Sequence, residues 1–364
     1  MFVLIFVSIL AILFTFLEVK GQIKNGMKLG FVLLTIIASL QYYVGSDYVS
    51  YYNNYLEVAS SNFSFSDVLQ GYVYKEPGWG LFIWIFSHIP YGFFLFIAVL
   101  AIVENIIYYK FIRNYADKRW WVFSVFLYTI CTSTYLMNFA MLRQALVDAI
   151  FLACWPLILK RKYLIVLVIL FLCTFIHNSA KIILPFAFWG MLSFKRTKLW
   201  GIGYALLLVV LYLYGGLVND IVTPLLNMDD FQMYAETYGA DDRKVGYGGL
   251  GFWIYMTPVA VSIYYFIVNK NDCVKNKSLV AISAIGALIL PFGVVMPMIG
   301  RVANFFVAFR LVAYPIMYQS VENTTVRRGL LFLIIFITIV DYFYFFNDPI
   351  WKSFTTYRTI FEAF

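Results

Sequence analysis

Three residues that could transfer a proton stand in polar stretches of the sequence: Asp47, Glu76 and His177. Asp47 precedes a tyrosine-rich segment with the pattern of an amphipathic helix. It is therefore a candidate general base and also a candidate helix N-cap. Glu76 precedes Pro77, which favours extended backbone at Glu76 and a helix that begins at the proline. Its carboxylate is a second candidate for proton transfer, or a favourable charge at that helix N-terminus.

His177 is followed by Asn178 and Ser179, and Lys181 lies four residues after it. On an α-helix the side chains of His177 and Lys181 would share a face. An imidazole beside polar groups can bind an anion or move a proton near neutral pH. A structural histidine with satisfied hydrogen bonds is the alternative for His177.

Two arginines stand at the start of apolar runs, Arg143 and Arg301. A guanidinium group stays charged and binds phosphate through two parallel hydrogen bonds. Snorkelling of the aliphatic stem towards the membrane surface is the alternative for Arg143. We predict that both arginines bind a phosphate or diphosphate group.

A further arginine, Arg310, follows Arg301 in the same apolar run. On a continuous helix it would lie about 13 Å deeper and on the opposite face. A charge at that depth needs a partner. We expect Arg310 to form a buried structural pair with Asp148 or Asp341, and the reverse assignment, with Arg310 in the site and Arg301 in a structural pair, is the alternative.

Aromatic residues crowd the segment that contains the two candidate carboxylates. Such rings combine an apolar body with a polar tip and suit the face of a sugar. The candidate sugar-binding residues are Tyr48, Tyr51, Tyr52 and Trp79. No Cys/His cluster with zinc spacing is present, because the chain has only two histidines and its four cysteines form no CxxC pair. We therefore expect neither a metal site nor another cofactor.

The elements that position these residues are apolar. Of 364 residues, 63% are hydrophobic and 13% are charged, whereas soluble domains have about 45–50% and about 25%. This excludes a soluble enzyme and a disordered chain. We predict an all-α polytopic integral membrane protein with about twelve spans. The predicted spans are 2–17, 28–45, 91–109, 120–138, 143–159, 163–177, 180–194, 199–218, 250–268, 279–298, 302–319 and 330–346.

Lysine and arginine concentrate in alternate short loops, which the positive-inside rule places in the cytoplasm. The net charge of +8 therefore follows membrane topology, and no nucleic-acid partner is expected. Both termini then lie outside, in a single transmembrane domain over 1–364. The external parts are the loops 46–90 and 219–249 and the tail 347–364. Within the first loop, 78–89 is predicted to be an interfacial or re-entrant helix, and 163–194 is predicted to form a thin hairpin.

This topology puts the candidate arginines at the depth of the outer headgroups, with carboxylates and aromatic rings above them. A polyprenyl-diphosphate-linked oligosaccharide matches such a site. A sugar hydroxyl would attack the anomeric carbon while the lipid diphosphate leaves, with a carboxylate or histidine accepting the proton. The arginines would stabilise the charge that develops on the diphosphate.

The sequence resembles the EpsG-type, Wzy-like polysaccharide polymerases of bacteria. An ordered series of short motifs carries the resemblance: Gly-Ser-Asp47-Tyr, Glu76-Pro-Gly-Trp-Gly-Leu, Arg143-Gln-Ala-Leu, Phe-Ile-His177-Asn-Ser-Ala and Gly-Arg301-Val. It implies a metal-independent membrane glycosyltransferase, distantly like the GT-C class. Such an enzyme acts outside the cytoplasmic membrane and joins undecaprenyl-diphosphate-linked units, which are both donor and acceptor, into O-antigen, capsule or exopolysaccharide. A flippase and a chain-length regulator are the implied partners. Lys181 stands where an apolar residue is expected, which suggests an extra phosphate contact.

Two other classes remain open from the sequence. A flippase for the lipid-linked sugar would need the same cations but no base, and it usually shows internal repeats, which this chain lacks. A membrane O-acyltransferase that decorates polysaccharide would need a catalytic histidine on the cytoplasmic side. The predicted topology places His177 outside instead.

Overall fold

The computed structural model describes residues 1–213, 250–290 and 297–363, and these residues are mostly helical. The α-helices are α1 Phe2–Val19, α2 Gly26–Ser39, α3 Tyr48–Ser60, α4 Phe65–Leu69, α5 Pro77–Ser87, α6 Gly92–Tyr115, α7 Trp121–Ile130, α8 Met137–Ala140, α9 Leu142–Leu159, α10 Tyr163–Thr174, α11 Thr197–Leu213, α12 Leu250–Val268, α13 Val274–Ile289, α14 Pro297–Val307, α15 Arg310–Gln319 and α16 Thr324–Asn347. Four 3₁₀ helices are Lys118–Trp120, Asn178–Met191, Pro349–Thr355 and Ile360–Ala363. The two strands are β1 Gln41–Tyr42 and β2 Arg358–Thr359. The all-α prediction is confirmed. The predicted loop 219–249 lies outside the described residues.

Among the residues that the structure describes, four helices are long and apolar enough to cross a membrane: α1, α6, α9 and α16. Large apolar side chains cover their outer faces; Phe2 and Phe332, for example, are 81% and 71% exposed. Exposed apolar surfaces of this kind are unfavourable in water and favourable in lipid. The chain is therefore a membrane protein, and the total of twelve spans stays a prediction.

Helix α5 occupies the stretch predicted to lie at the interface or to re-enter the membrane. Its 11 residues rise by about 16 Å, roughly half the hydrocarbon thickness. Such a helix is too short to cross, which agrees with the prediction. Helix α3 likewise forms where the amphipathic pattern predicts it.

Two predicted spans are interrupted. The stretch 120–138 is two helices, α7 and α8, joined by a turn. The hydroxyl of Thr134 donates to the carbonyls of Cys131 and Tyr128, both at 2.7 Å, and so satisfies backbone groups at the helix end. The stretch 302–319 is also broken, between α14 and α15. Arg301 and Arg310 thus do not share one continuous helix, and the expectation of opposite helix faces does not apply.

The stretch 180–194 is not an α-helix but part of a 3₁₀ helix of 14 residues. A 3₁₀ helix rises by about 2.0 Å per residue, so this segment reaches about 28 Å, near the thickness of the hydrocarbon core. An α-helix of equal length would reach only about 21 Å. It packs against α10, as the predicted hairpin requires.

The chain divides into two compact units. One comprises Met1–Leu192 and Gly329–Phe364, and the other comprises Ser193–Arg328. Asp47, Glu76, Arg143 and His177 belong to the first unit. Arg301 and Arg310 belong to the second. A single transmembrane domain over 1–364 stays a prediction.

The residues after α16 turn back onto the start of the first unit; we call Pro349–Ala363 the C-terminal strap. Strands β1 and β2 pair antiparallel, and the Ile360 amide donates to the Leu40 carbonyl at 3.0 Å. The Tyr357 hydroxyl donates to the Ile37 carbonyl at 2.6 Å. The Met1 ammonium group donates to the Thr355 carbonyl at 2.7 Å. These bonds fasten the strap beside the chain segment that leads to Asp47.

Candidate functional site

The centre of the site is an ion pair between Arg143 and Glu76. The Arg143 Nη1 atom lies 2.9 Å from Glu76 Oε1, and the two side chains are 19% and 13% exposed. Glu76 is extended (φ −94°, ψ 105°) and Pro77 begins α5, as the sequence predicts. The Glu76 side chain does not cap its own helix. It reaches α9 instead, so the partner of Arg143 in this structure is a carboxylate.

Two tyrosines complete the surroundings of the Arg143 guanidinium. The Tyr51 hydroxyl lies 3.5 Å from Arg143 Nε, and the Tyr74 ring centroid lies 4.9 Å from Arg143 Cζ. A cation over an aromatic face is stabilised by the ring quadrupole. The Arg143 side chain is mostly buried among these groups, and its exposed 19% is the part that can meet a ligand. The sequence places Tyr74 in the aromatic first loop but does not predict its position beside Arg143.

Asp47 stands at the N-cap position of α3, but its side chain makes no capping hydrogen bond. Its carboxylate accepts from the Ser46 hydroxyl at 3.1 Å. The preceding Gly45 has φ +96°, and a Cβ there would lie 2.5 Å from the Phe139 carbonyl oxygen. Only glycine permits this conformation and this approach. The start of α3 is thereby placed on α8, directly before the helix that carries Arg143.

A second glycine joins the Glu76 motif to the His177 motif. The amides of Gly78 and Trp79 donate to the Phe175 carbonyl at 2.9 and 3.2 Å. A Cβ at Gly78 would lie 2.9 Å from that same oxygen, so the position requires a residue without a side chain. The N-terminus of α5 therefore lies against the residues that lead to His177.

His177 is extended (φ −148°) and precedes the long 3₁₀ helix. It is half-buried and Lys181 is exposed. The predicted shared face required an α-helix. In a 3₁₀ helix, with about three residues per turn, positions four apart are about a third of a turn apart. The structure thus does not place His177 and Lys181 on one helix face.

The predicted sugar-binding aromatics differ in exposure. Tyr48 and Trp79 are fully buried, and Tyr51 is 6% exposed. The Trp79 ring packs on Tyr51 at 5.6 Å between centroids. Burial raises the pKa of the Tyr48 phenol. These three rings have a packing role here, because none offers a face to a ligand, whereas Tyr52 is partly exposed.

Asp148 lies on α9 and is buried, with Oδ1 lacking a hydrogen-bond partner among the described residues. It interacts electrostatically with Glu104 of the neighbouring helix α6. Glu104 is fully buried, and both of its carboxyl oxygens lack partners within the described ranges. The sequence analysis did not single out Glu104. The signal it missed was a lone acidic residue inside an apolar run.

Arg301 lies within α14 and Arg310 begins α15. Both are half-buried. The expected pair of Arg310 with Asp148 or Asp341 joins residues of different units and stays a prediction. The same holds for Arg301 as a diphosphate ligand. Within the described ranges, no group of three or more His, Cys, Asp or Glu side chains could hold a metal ion.

Comparison with known protein families identifies a family that matches this chain. The model of the EpsG family matches residues 27–359, nearly the whole chain. No curated protein matches the chain, and no solved structure does. The matched range contains all of the motifs that meet at the ion pair.

Proposed function

This chain belongs to the EpsG family, and we propose that it is a membrane glycosyltransferase that polymerises lipid-linked oligosaccharide repeat units. The donor is a growing glycan on undecaprenyl diphosphate. The acceptor is a single repeat unit on the same carrier. The product enters a surface polysaccharide such as O-antigen, capsule or exopolysaccharide. We place the reaction on the extracytoplasmic side of the bacterial cytoplasmic membrane, because the basic loops mark the opposite side as cytoplasmic.

The observation that carries this proposal is the contact between Arg143 and Glu76 at 2.9 Å. The Arg143 side chain remains 19% exposed although it is paired with Glu76 and lies over the Tyr74 ring. We assign this exposed part of the guanidinium group to the diphosphate of the donor. Glu76 and Tyr74 hold the guanidinium plane, so the donor group is oriented before the ligand arrives. Arg301 and Lys181 are proposed as additional phosphate contacts.

The proton acceptor in this proposal is Asp47. Its carboxylate is partly exposed and accepts one hydrogen bond, from Ser46, whereas Glu76 is engaged by Arg143. The acceptor hydroxyl attacks the anomeric carbon of the donor, a carbon–oxygen bond forms, and the bond to the diphosphate oxygen breaks. The hydroxyl proton passes to Asp47, and Arg143 stabilises the charge on the departing diphosphate. His177 is the alternative acceptor.

The proposal is tested by deleting the gene in its own host and separating the surface glycan on a gel. Plasmid copies then restore wild type, Asp47→Asn, Glu76→Gln, His177→Ala and Arg301→Ala at equal expression. Arg113→Lys serves as the matched control. Arg113 also pairs with a glutamate, at 3.5 Å from Glu18, and also lies over aromatic rings, but at the predicted cytoplasmic end.

A polymerase predicts that the deletion leaves single repeat units at the surface and removes the ladder of longer glycans. The control should restore the ladder, and Asp47→Asn, Glu76→Gln and Arg301→Ala should not. Loss of the ladder in His177→Ala but not in Asp47→Asn would make His177 the proton acceptor. Loss of every surface species, with lipid-linked units retained in the inner leaflet, would show a flippase instead. An intact ladder with altered charge would show a decorating acyltransferase.

A further inference from the structure

Three tyrosines form a cluster where α2 leads into the first external loop: Tyr42, Tyr43 and Tyr52. The ring centroids of Tyr42 and Tyr43 are 4.4 Å apart, and the Tyr52 centroid is 6.4 Å from Tyr42 and 6.1 Å from Tyr43. All three side chains are partly exposed. They differ in this from Tyr48 and Trp79, which the core encloses. We call these three residues the tyrosine platform.

The rings of the tyrosine platform pack against buried aromatic rings. Tyr48, which is fully buried, lies 5.7 Å from Tyr43, and Phe93, 2% exposed, lies 5.0 Å from Tyr52. Rings that rest on a packed core lose little rotational freedom when a ligand binds, which favours affinity. The exposed tyrosines are therefore a preorganised surface.

The C-terminal strap fixes the backbone of the platform. Tyr42 pairs with Arg358 in the β1–β2 ladder. Tyr43 has φ +52°, a conformation that few residues other than glycine adopt. Such a backbone persists only where its surroundings determine it, and it is common at functional sites. Here the ladder on one side and Gly45 on the other enforce it.

Hydrogen-bonding groups lie at the edge of the tyrosine platform. The Tyr42 phenol is neutral at physiological pH and can donate a hydrogen bond. The Arg358 guanidinium lies beside Tyr42 and is 54% exposed, with its Nε only loosely paired to Glu362 at 4.0 Å. Hydroxyl and guanidinium donors around an apolar face are what sugar hydroxyls require.

The ring planes of Tyr42, Tyr43 and Tyr52 meet at 88°, 85° and 71°, so one ring can stack on a sugar while the others contact it with their edges. We propose that these three tyrosines bind a pyranose ring of the lipid-linked oligosaccharide in this way, with Arg358 donating to its hydroxyl or carboxylate groups. The proposal rests on the function proposed above and names the sugar subsite of that enzyme. The platform is continuous with the ion pair through α3. Tyr48 follows Asp47 in the chain, and Tyr51, the neighbour of Tyr52, contacts Arg143. Helix α3 therefore carries both Tyr52 of the platform and, at its N-cap position, the candidate proton acceptor Asp47.

Binding is measured directly by saturation-transfer NMR on the full chain in lipid nanodiscs. The probe is the oligosaccharide repeat unit released by mild acid from the host's own surface polysaccharide. The test variant is Tyr42→Ala with Tyr52→Ala. The control is Tyr72→Ala, a tyrosine of the same loop that is 68% exposed and lies outside the platform. Because alanine could disturb packing, Tyr42→Leu with Tyr52→Leu preserves apolar volume without an aromatic face.

We expect wild type and the control to transfer saturation to the sugar ring protons, and both platform variants to bind at least about tenfold more weakly. Equal binding by wild type and the leucine variant would contradict sugar binding by the platform. The absence of binding by wild type would contradict it too. Tyrosines that only anchor the chain in the headgroup region would give this second result.

The glycan ladder separates this proposal from the proposed function. Arg143→Lys should abolish the ladder and leave binding of the released oligosaccharide intact, because that probe carries no diphosphate. Sugar binding that depends on the platform, together with a ladder that survives Arg143→Lys, would retain the platform and reject the polymerase mechanism. A ladder that is lost in Arg143→Lys but unchanged in the platform variants would retain the polymerase mechanism and reject the platform.

Discussion

The carboxylate of Glu76 lies 2.9 Å from the guanidinium of Arg143, and this pair joins the start of α5 to the start of α9. Asp47 and His177 approach the same two helix ends through close backbone packing at Gly45 and Gly78. Four polar motifs that are far apart in the sequence thus meet at one end of the first unit. A chain that needed these residues only as local helix caps would have no reason to bring them together.

Arg143→Lys should retain the positive charge but lose the polymer ladder. A lysine can replace the ion pair with Glu76, but it cannot donate in a plane to Tyr51 and to a phosphate at once. We expect polymer formation to fall at least about 100-fold, the scale for loss of one preorganised donor. The measurement is the glycan ladder at matched expression.

The matched control for this substitution is Arg113→Lys. Arg113 contacts Glu18 at 3.5 Å and lies 5.2 Å over the Trp121 ring. The ladder should remain near wild type with this change. Wild-type polymer from Arg143→Lys, or equal loss from both variants, would contradict a specific role for Arg143.

Exchanging the charges of Glu76 and Arg143 tests whether this ion pair has only a structural role. Glu76→Gln alone leaves Arg143 largely buried without its counter-ion and should lower the free energy of unfolding by about 1–3 kcal/mol, less than for a fully buried pair. The double variant Glu76→Arg with Arg143→Glu restores the pair and should recover part of that stability. It should not restore the ladder, because the phosphate donor then projects from α5. The two measurements are thermal unfolding in detergent and the glycan ladder. Polymer formation by the exchanged pair would show that Glu76 and Arg143 have only a structural role.

Local features of the site were predictable from the sequence. Pro77 sets the extended backbone at Glu76 and the start of α5, because the proline ring restricts both residues. The helix after Asp47 follows from its amphipathic pattern. Composition and the length of the apolar runs were enough to identify a membrane protein. Each of these signals acts over a few neighbouring residues.

The remaining features depend on contacts between distant segments. Nothing in the sequence pairs Arg143 with Glu76, and nothing pairs β1 with β2. The burial of Trp79 arises from rings on other helices, so its aromatic character alone could not separate a core residue from a sugar ligand. The sequence of the 3₁₀ helix Asn178–Met191 resembles that of an apolar α-helix, because hydropathy does not distinguish the two kinds of helix.

Gly78→Ala should disturb the site by moving α5 away from the residues before His177. The new Cβ would lie 2.9 Å from the Phe175 carbonyl oxygen, which is backbone and cannot rotate aside. We expect a loss of about 1–3 kcal/mol of stability and a shortened or absent ladder. Gly329→Ala is the control, because nothing lies within 4 Å of its Cβ. It should be neutral or stabilising by about 0.5–1 kcal/mol. Equal thermal stability of both variants would contradict the close approach.

Removal of the C-terminal strap should release the segment that holds the platform. Truncation after Asp348 deletes β2 and the contacts to Ile37 and Leu40, so we expect loss of the ladder although all of the long apolar helices remain. Tyr357→Phe removes a single hydrogen bond of 2.6 Å and should cost about 1 kcal/mol with polymerisation retained. Limited proteolysis after Tyr42 checks the mechanism: cleavage should accelerate in the truncated chain. Unchanged proteolysis with a full ladder would show that the strap does not position this region.

Asp47→Asn and Asp67→Asn form a matched pair in the first external loop. Asp47 makes no capping bond, so its substitution should leave thermal stability near wild type and abolish polymerisation. Asp67 closes a capping box with Ser64 on α4, and its substitution should slightly reduce stability and leave the ladder intact.

The pH dependence of the same pair provides a second check. Hydrogen bonds from Ser64 lower the pKa of Asp67. Because the folded-state pKa is the lower one, the stabilisation by Asp67 is complete at neutral pH. It is lost as the pH falls below about 4, through the folded-state pKa. Thermal unfolding of wild type and Asp67→Asn should therefore converge at acid pH. A large loss of stability in Asp47→Asn at neutral pH would show that Asp47 has a structural role and leave His177 as the proton acceptor.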